Sequence, residues 1–513
     1  MRRIFPVVIG GILLLSGIGA VALADNQIFM SREQIIQSTM GNELYDMVII
    51  APAAFSNELQ PLVDHKNAYG VETIFTSTEE IYSEYDAWDE AEEIKYFIKD
   101  AIENLSIEYI LLVGSVDKLP IRTTWFFQSH HGHYWNETVL TDLYYADVYD
   151  QYGNFCSWDS NGNGMYGESY HGCPGVDDVV DLYPDVCIGR LACEKNSEVA
   201  TVVQKIITYE TTALGKSWFD NLLLIGGDTF PGWNGNEGEI LNNMVEQLVP
   251  DFTSTKLWTS DGTFTAHAVN RELNAGVGFV DYSGHGFELG LGTHPPNDEE
   301  SWVRYNVFHL PGLFNGDKLP VIFFDACLTA KLDYNVSELS VFTGEVVSQI
   351  PSPYEPTMLG SSSFSTSFSP FVMFAKKAGW GDTLVPCFAW RLVKKGNGGA
   401  IATIGATRTA FGGTESGAGK MSLEFFGAYA SSETVGEMMR QAQTAYITDV
   451  PEDAFTVEEF ILLGDPSLKI GGYDGEGSGN ANTQMNNEPV GLVVAPFEQG
   501  MQPILKTAKT SMC

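Results

Sequence analysis

The sequence predicts an α/β protein with mostly parallel sheets, and two observations carry that expectation. Short apolar runs bounded by Gly, Pro or Asp recur along the chain, and several are continuous rather than alternating. Continuous runs suit strands buried on both faces of a parallel sheet. Stretches with apolar residues at helical spacing lie between them, and strand alternating with helix argues for layers joined by right-handed crossovers. At 513 residues the chain is too long for one simple core and should form two or more packed units.

Taken in order, the expected strands are Met47 to Ala51, Tyr109 to Gly114, Val186 to Leu191, Leu222 to Gly227, Val277 to Tyr282, Val321 to Asp325 and Ala400 to Gly405. Glu90 to Leu105, Ser197 to Leu214 and Glu237 to Leu248 have the period of amphipathic helices. The last strong element is Phe460 to Lys469, and Gly471 to Pro489 reads as a flexible linker rich in Gly, Asn and acidic residues. The expected divisions are a signal peptide at 1–24, a short segment at 25–43, a first subdomain at 44–215, a second at 216–470 and a flexible tail at 471–513.

The start of the chain reads as a targeting signal. Arg2 and Arg3 precede an apolar run from Ile4 to Leu23, and Ala22-Leu23-Ala24 offers small residues where a signal peptidase cuts. An uncleaved anchor is the other reading of the same run. The mature chain is then expected outside the cytoplasm, with no membrane span of its own. Its 66 acidic residues against 28 basic ones give a formal charge of −38. Such a surface repels nucleic acid and anionic lipid, so neither is an expected partner. Seven cysteines leave at least one thiol without an intramolecular disulfide partner. Cys156 and Cys173 flank a turn-rich loop and are a possible pair, whereas Cys187 and Cys193 read as small buried fillers.

Two strand ends carry reactive side chains. Phe279-Val280-Asp281-Tyr282-Ser283-Gly284-His285-Gly286 places a His between glycines just past an apolar strand. Val321-Ile322-Phe323-Phe324-Asp325-Ala326-Cys327 does the same with a Cys, 42 positions later. Ligands of an open parallel sheet bind at the carboxyl ends of its strands, so two neighbouring strands would aim both groups into one crevice. There an imidazole can take the thiol proton and return it to a leaving amine. The backbone N–H groups of Gly286 and Cys327 are the expected oxyanion donors. Each residue alone also has a plain structural reading: a buried Cys packs, and a His between glycines turns the chain. Gly284-His285-Gly286 is not a dinucleotide fingerprint, because Leu289 stands at the third glycine position. No organic cofactor is expected.

These motifs resemble the gingipain family, peptidase family C25, in the caspase-related clan of cysteine peptidases. The resemblance spans roughly residues 44 to 470 and rests on motifs in the family's order: Tyr109 to Gly114 with Leu119-Pro120, Thr141 to Tyr145, Ile188 to Leu191, Tyr282 to Gly286, Asp325 to Cys327, and Leu463 to Leu468. It implies a caspase-like three-layer α/β sandwich of two side-by-side subdomains. It also implies a cysteine endopeptidase acting on polypeptides through a Cys327 thioester, with His285 as general acid/base. A transpeptidase of the same family, joining or trimming surface proteins, and an inactive binding protein are the alternatives. The family's His-orienting acid falls nearest to Asp228, whose other reading is a turn or helix-cap residue. Arg-specific members carry an Asp just beyond a Gly-Glu pair. Here Gly238-Glu239 matches the pair, but Leu241 follows two positions on, leaving Glu237 and Glu239 as substitutes for a substrate-binding carboxylate.

Asp159-Ser160-Asn161-Gly162-Asn163-Gly164 matches the first half of an oxygen-ligand loop for a hard cation. Asp159, Asn161, Asn163, the Met165 carbonyl and Glu168 are the expected ligands of a structural Ca2+, of affinity on the order of 10⁻⁴ to 10⁻³ M. An Asn/Gly-rich surface turn is the competing reading. His130-His131-Gly132-His133 lacks the companions of a zinc site. Trp233, Trp302 and Trp380 are large aromatics that suit either a substrate pocket or the core.

Overall fold

The computed structural model describes residues 44–475 apart from 131–132, 171–177, 233–234, 337 and 339–381. The expected signal and 25–43 segments, and the tail beyond 475, lie outside the described residues.

Ten strands form the central sheet among the described residues. They are β1 (Met47–Ala51), β2 (Thr73–Ser77), β3 (Tyr109–Val113), β4 (Cys187–Leu191), β5 (Asn221–Gly226), β6 (Thr253–Trp258), β7 (Phe279–Ser283), β8 (Val321–Asp325), β9 (Ala402–Ala406) and β10 (Phe460–Leu463). Their order across the sheet is β2-β1-β3-β4-β10-β9-β8-β7-β5-β6. Every residue of β1, β3, β7, β8 and β9 is buried, and in β1, β3 and the first four residues of β8 that burial reads as an unbroken apolar run. The two edges, β2 and β6, carry more Thr and Ser; β2 is buried throughout and β6 is mostly half-buried.

The last strand sets the architecture. β10 runs parallel to β4 and antiparallel to β9, while the remaining neighbours pair in parallel. The sheet therefore has two halves of opposite direction, with their carboxyl ends on opposite edges. The junction expected near residue 216 falls in the connection between helix Asn196–Thr212 and β5.

Helices cover the sheet by the expected mechanism. Glu90–Leu105 begins at an Asp89 cap accepting the Glu92 N–H, and it buries Ala91, Ile94, Phe97, Ile98, Ala101 and Leu105. Val435–Asp449 opens with a capping box made by Thr434 and Glu437. Two small sheets flank the large one. One pairs Arg122–His130 with His133–Thr141 and Tyr166–Tyr170; the other pairs His285–Phe287, Gly290–Thr293 and Val303–Asn306. No described helix is long and apolar enough to cross a membrane.

Candidate active site

β7 and β8 are neighbours in parallel register, with Ser283 opposite Asp325. His285 and Cys327 each lie two residues beyond those positions. The Gly284 N–H donates to the Asp325 carbonyl at 3.1 Å, so the pairing extends one step toward the site. At Gly286 the two chains touch. A Cβ there would sit 2.1 Å from the Cys327 carbonyl oxygen and 2.9 Å from the Cys327 nitrogen, so only glycine fits. The two peptide groups expected to donate to an oxyanion are thus side by side.

The His285 ring is held by a backbone group. Its Nε2 lies 2.8 Å from the Thr229 carbonyl oxygen. A carbonyl only accepts, so Nε2 carries the proton and Nδ1 is left as the acceptor. Phe230, Trp302 and His294 surround the ring with centroids at 5.8, 5.4 and 5.9 Å. Burial lowers the imidazole pKa below its ordinary value, the Thr229 carbonyl opposing and His294 adding to the effect.

Cys327 is partly exposed, and its thiol donates to the Ala410 carbonyl at 3.3 Å. Burial, with the Glu459 charge adding to it, pushes the thiol up to about 12. Leu328 has φ 57°, a left-handed conformation that bends the chain immediately after the thiol, and its N–H donates to the Arg408 carbonyl at 2.8 Å. Burial favours the neutral form of both groups, and each is engaged with a carbonyl.

Both open onto one cavity of about 310 Å³. Its walls come from Thr229 and Phe230, the start of helix Glu237–Leu248, the 410–414 loop after β9, and the start of helix Gly417–Gly427.

Asp228 does not orient His285. Its Oδ2 accepts the Asn297 N–H at 2.7 Å, and its backbone pairs with His294 in both directions, so it pins the 290–297 turn. The chain turns at Asp228 so that the next carbonyl, Thr229, reaches the ring. Glu239 does not line the cavity beside Cys327. Its carboxylate takes the Ser260 N–H at 2.9 Å, the Ser260 hydroxyl at 2.7 Å and the Asn236 amide at 2.9 Å. Glu237 does line the cavity, with Oε2 accepting the Thr229 and Phe230 N–H groups at 3.2 and 3.4 Å. Leu241 also lines it.

The 159–168 loop draws its polar groups together. Asp159 accepts the Asn163 and Gly164 N–H groups at 3.0 and 2.9 Å, and Asn163 Oδ1 accepts the Met165 N–H at 2.7 Å. Glu168 Oε2 takes the side-chain amides of Asn161 and Asn163 at 2.8 and 2.5 Å. Three or more His, Cys, Asp or Glu side chains do not meet as a metal cluster among the described residues. The His130–His133 side chains, Cys173, Trp233 and Trp380 lie outside what is described. Cys156 is a buried free thiol facing the Val179 carbonyl at 3.5 Å, and Cys187, Cys193 and Cys387 are buried free thiols as well.

Sequence reasoning missed Thr229, Phe230 and the 410–414 loop. Thr229 acts through its carbonyl and leaves no side-chain signature. The loop did carry a signal, Gly412-Gly413 just past the carboxyl end of β9, where a parallel sheet places its ligands.

The sequence profile of peptidase family C25 matches residues 42–352 and 360–471. Gingipain R2 of Porphyromonas gingivalis (strain ATCC BAA-308 / W83) is 24% identical over 339 residues, covering 63% of this chain and 39% of that protein. Lys-gingipain W83 of Porphyromonas gingivalis is 24% identical over 188 residues, covering 36% of this chain and 10% of its own. The chain thus spans less than half of these curated relatives. Among solved structures, the Arg-specific cysteine proteinase gingipain R superposes with TM-score 0.57 at 20% identity, covering 83% of this chain and 78% of that one. That likeness shows the fold.

Proposed function

The chain belongs to peptidase family C25, and from that premise we propose that it is a secreted cysteine endopeptidase with Cys327 as nucleophile and His285 as acid/base. The observation that carries this is the placement of both groups beyond paired strands, on one cavity, with His285 Nε2 tied to the Thr229 carbonyl and Nδ1 available to a thiol.

In the forward step Cys327 Sγ bonds to the substrate carbonyl carbon as its proton passes to His285 Nδ1. The carbonyl oxygen takes the negative charge beside the Gly286 and Cys327 peptide groups. The C–N bond breaks, the leaving amine takes the proton from His285, and a thioester remains on Cys327. Water then gives a proton to His285 and attacks the thioester; collapse breaks the C–S bond, releases the acid and returns the proton to sulfur. Burial favours the neutral thiol and the neutral imidazole, and in that state His285 acts as base during the attack. Secretion rests on the 1–24 segment. A separate proposal is that the Asp159–Glu168 loop holds calcium, supported by the convergence of Asp159, Asn161, Asn163 and Glu168.

The test is cleavage of a positional-scanning peptide library by residues 25–513, beside Cys327→Ala. The expected result is a loss of at least about 10⁴-fold in the variant, as for removal of a nucleophile from such a pair. Equal rates in the two proteins overturn the proposal.

A further inference from the structure

The cavity beside Cys327 is apolar over most of its wall. Phe230 and Ile240 stand half-exposed at its rim, and Leu241 and Ala418 are buried in its side. Gly412, Gly413 and Gly419 contribute backbone. A Cβ on Gly419 would lie 2.5 Å from the Gly413 carbonyl oxygen and 3.3 Å from Leu241 Cδ1, so these segments make one continuous wall.

Two carboxylates reach the cavity, and each has one oxygen engaged. Glu237 Oε2 accepts the Thr229 and Phe230 N–H groups, which holds the segment whose carbonyl fixes His285. Asp325 Oδ2 accepts the Ser283 hydroxyl at 2.6 Å. Burial raises the Asp325 carboxyl to about 7, which keeps it partly neutral. A guanidinium or ammonium entering here would lose water over a mostly apolar wall, with Glu237, already holding two N–H groups through Oε2, as its charged partner, and such a transfer is costly. A side chain ending in carbon needs no partner and gains by leaving water.

We infer that this cavity receives the side chain preceding the scissile bond and selects leucine, methionine or phenylalanine over arginine and lysine. The inference rests on the peptidase reading above and names the substrate class of that site.

The experiment compares kcat/KM on matched fluorogenic peptides that differ only at that residue, being Leu, Met, Phe, Ala, Arg or Lys. Cys327→Ala is the blank. The three apolar residues should exceed Arg and Lys by about tenfold to two-hundredfold, the range that pocket contacts of this kind supply. Ala should fall below Leu. Ile240→Asp, which adds a carboxylate at the half-exposed rim, should narrow the apolar-to-basic ratio by about tenfold with the melting temperature kept. Arg or Lys matching or exceeding Leu overturns the inference and leaves the peptidase reading standing. Cleavage of none of the peptides above the Cys327→Ala blank overturns the peptidase reading, and the inference falls with it.

Discussion

At the carboxyl ends of β3 and β4, Arg190 is fully buried and surrounded by acceptors. Its Nη2 and Nε meet Asp142 at 2.6 and 2.8 Å, and the carbonyls of Gly114, Leu119 and Pro120 take further N–H groups. Past the carboxyl ends of β7 and β8, on the opposite edge, Cys327 and His285 each bond one carbonyl and face a cavity. The two halves of one sheet thus use the same kind of edge in opposite ways. Where every donor is answered, the charge locks loops together. Where the reactive atoms keep few partners, they remain able to exchange protons with something that enters. Lys66 repeats the first arrangement, 2.7 Å from both Glu210 and Asp465, and ties the turn after β10 to the first half.

The largest expected effect breaks the answered edge. Asp142→Ala removes the carboxylate and leaves a buried guanidinium partnered only by carbonyls. Losing one member of such a pair costs about 3–5 kcal/mol. The measurement is the midpoint of urea unfolding. A loss below about 1 kcal/mol would mean that Arg190 is held well enough by backbone alone.

The second effect tests the sparse edge. With the thiol pushed up to about 12, little thiolate exists at neutral pH, and alkylation tracks thiolate. Iodoacetamide should modify Cys327 more than about a thousandfold more slowly at pH 7 than an ordinary exposed cysteine, from the thiolate fractions alone. The rate should climb about tenfold per pH unit through pH 10 without levelling, since the thiolate fraction does. Mass spectrometry of the Cys327 peptide against pH reads this directly. A plateau between pH 6 and 8 would reveal a preformed thiolate–imidazolium pair and reverse the assigned starting state. Cleavage should instead gain activity as His285 becomes neutral, with its rising limb below the usual imidazole range because burial lowers that pKa.

The same contrast explains what the sequence made legible. Burial on both faces wrote β8 as Val-Ile-Phe-Phe-Asp, so the strand and the Cys327 after it were readable together. The edge strands β2 and β6 were not, because Thr-Ile-Phe-Thr-Ser and Thr-Ser-Thr-Lys-Leu-Trp lack that unbroken apolar run. Nor does any local pattern reveal that β10 returns to the first half and reverses the sheet direction, which is a matter of pairing between distant segments. At the site, reasoning from side chains reached the right turn and the wrong atom. Asp228 carries the carboxylate, but the neighbouring Thr229 carbonyl touches His285. Glu239 was legible as an acid and not as one occupied by Ser260, which comes from beyond β6.

The smallest effect concerns a third arrangement, in which polar groups answer one another. In the Asp159–Glu168 loop, Glu168 takes amide N–H groups from Asn161 and Asn163, and Asp159 takes two backbone N–H groups. A calcium ion would ask the two Asn side chains to present oxygen instead of nitrogen, so binding must compete with bonds already made. That favours weak affinity, on the order of 10⁻⁴ to 10⁻³ M. At about 10 mM calcium, linkage then gives roughly 1.4–2.7 kcal/mol of stabilisation. Melting temperature with calcium and with chelator should differ by a few degrees, and Asp159→Ala should remove the difference. If the variant keeps the calcium shift, the ion sits elsewhere. If the wild type shows none, the loop is closed by its own hydrogen bonds and belongs with Arg190 on the answered side of the comparison.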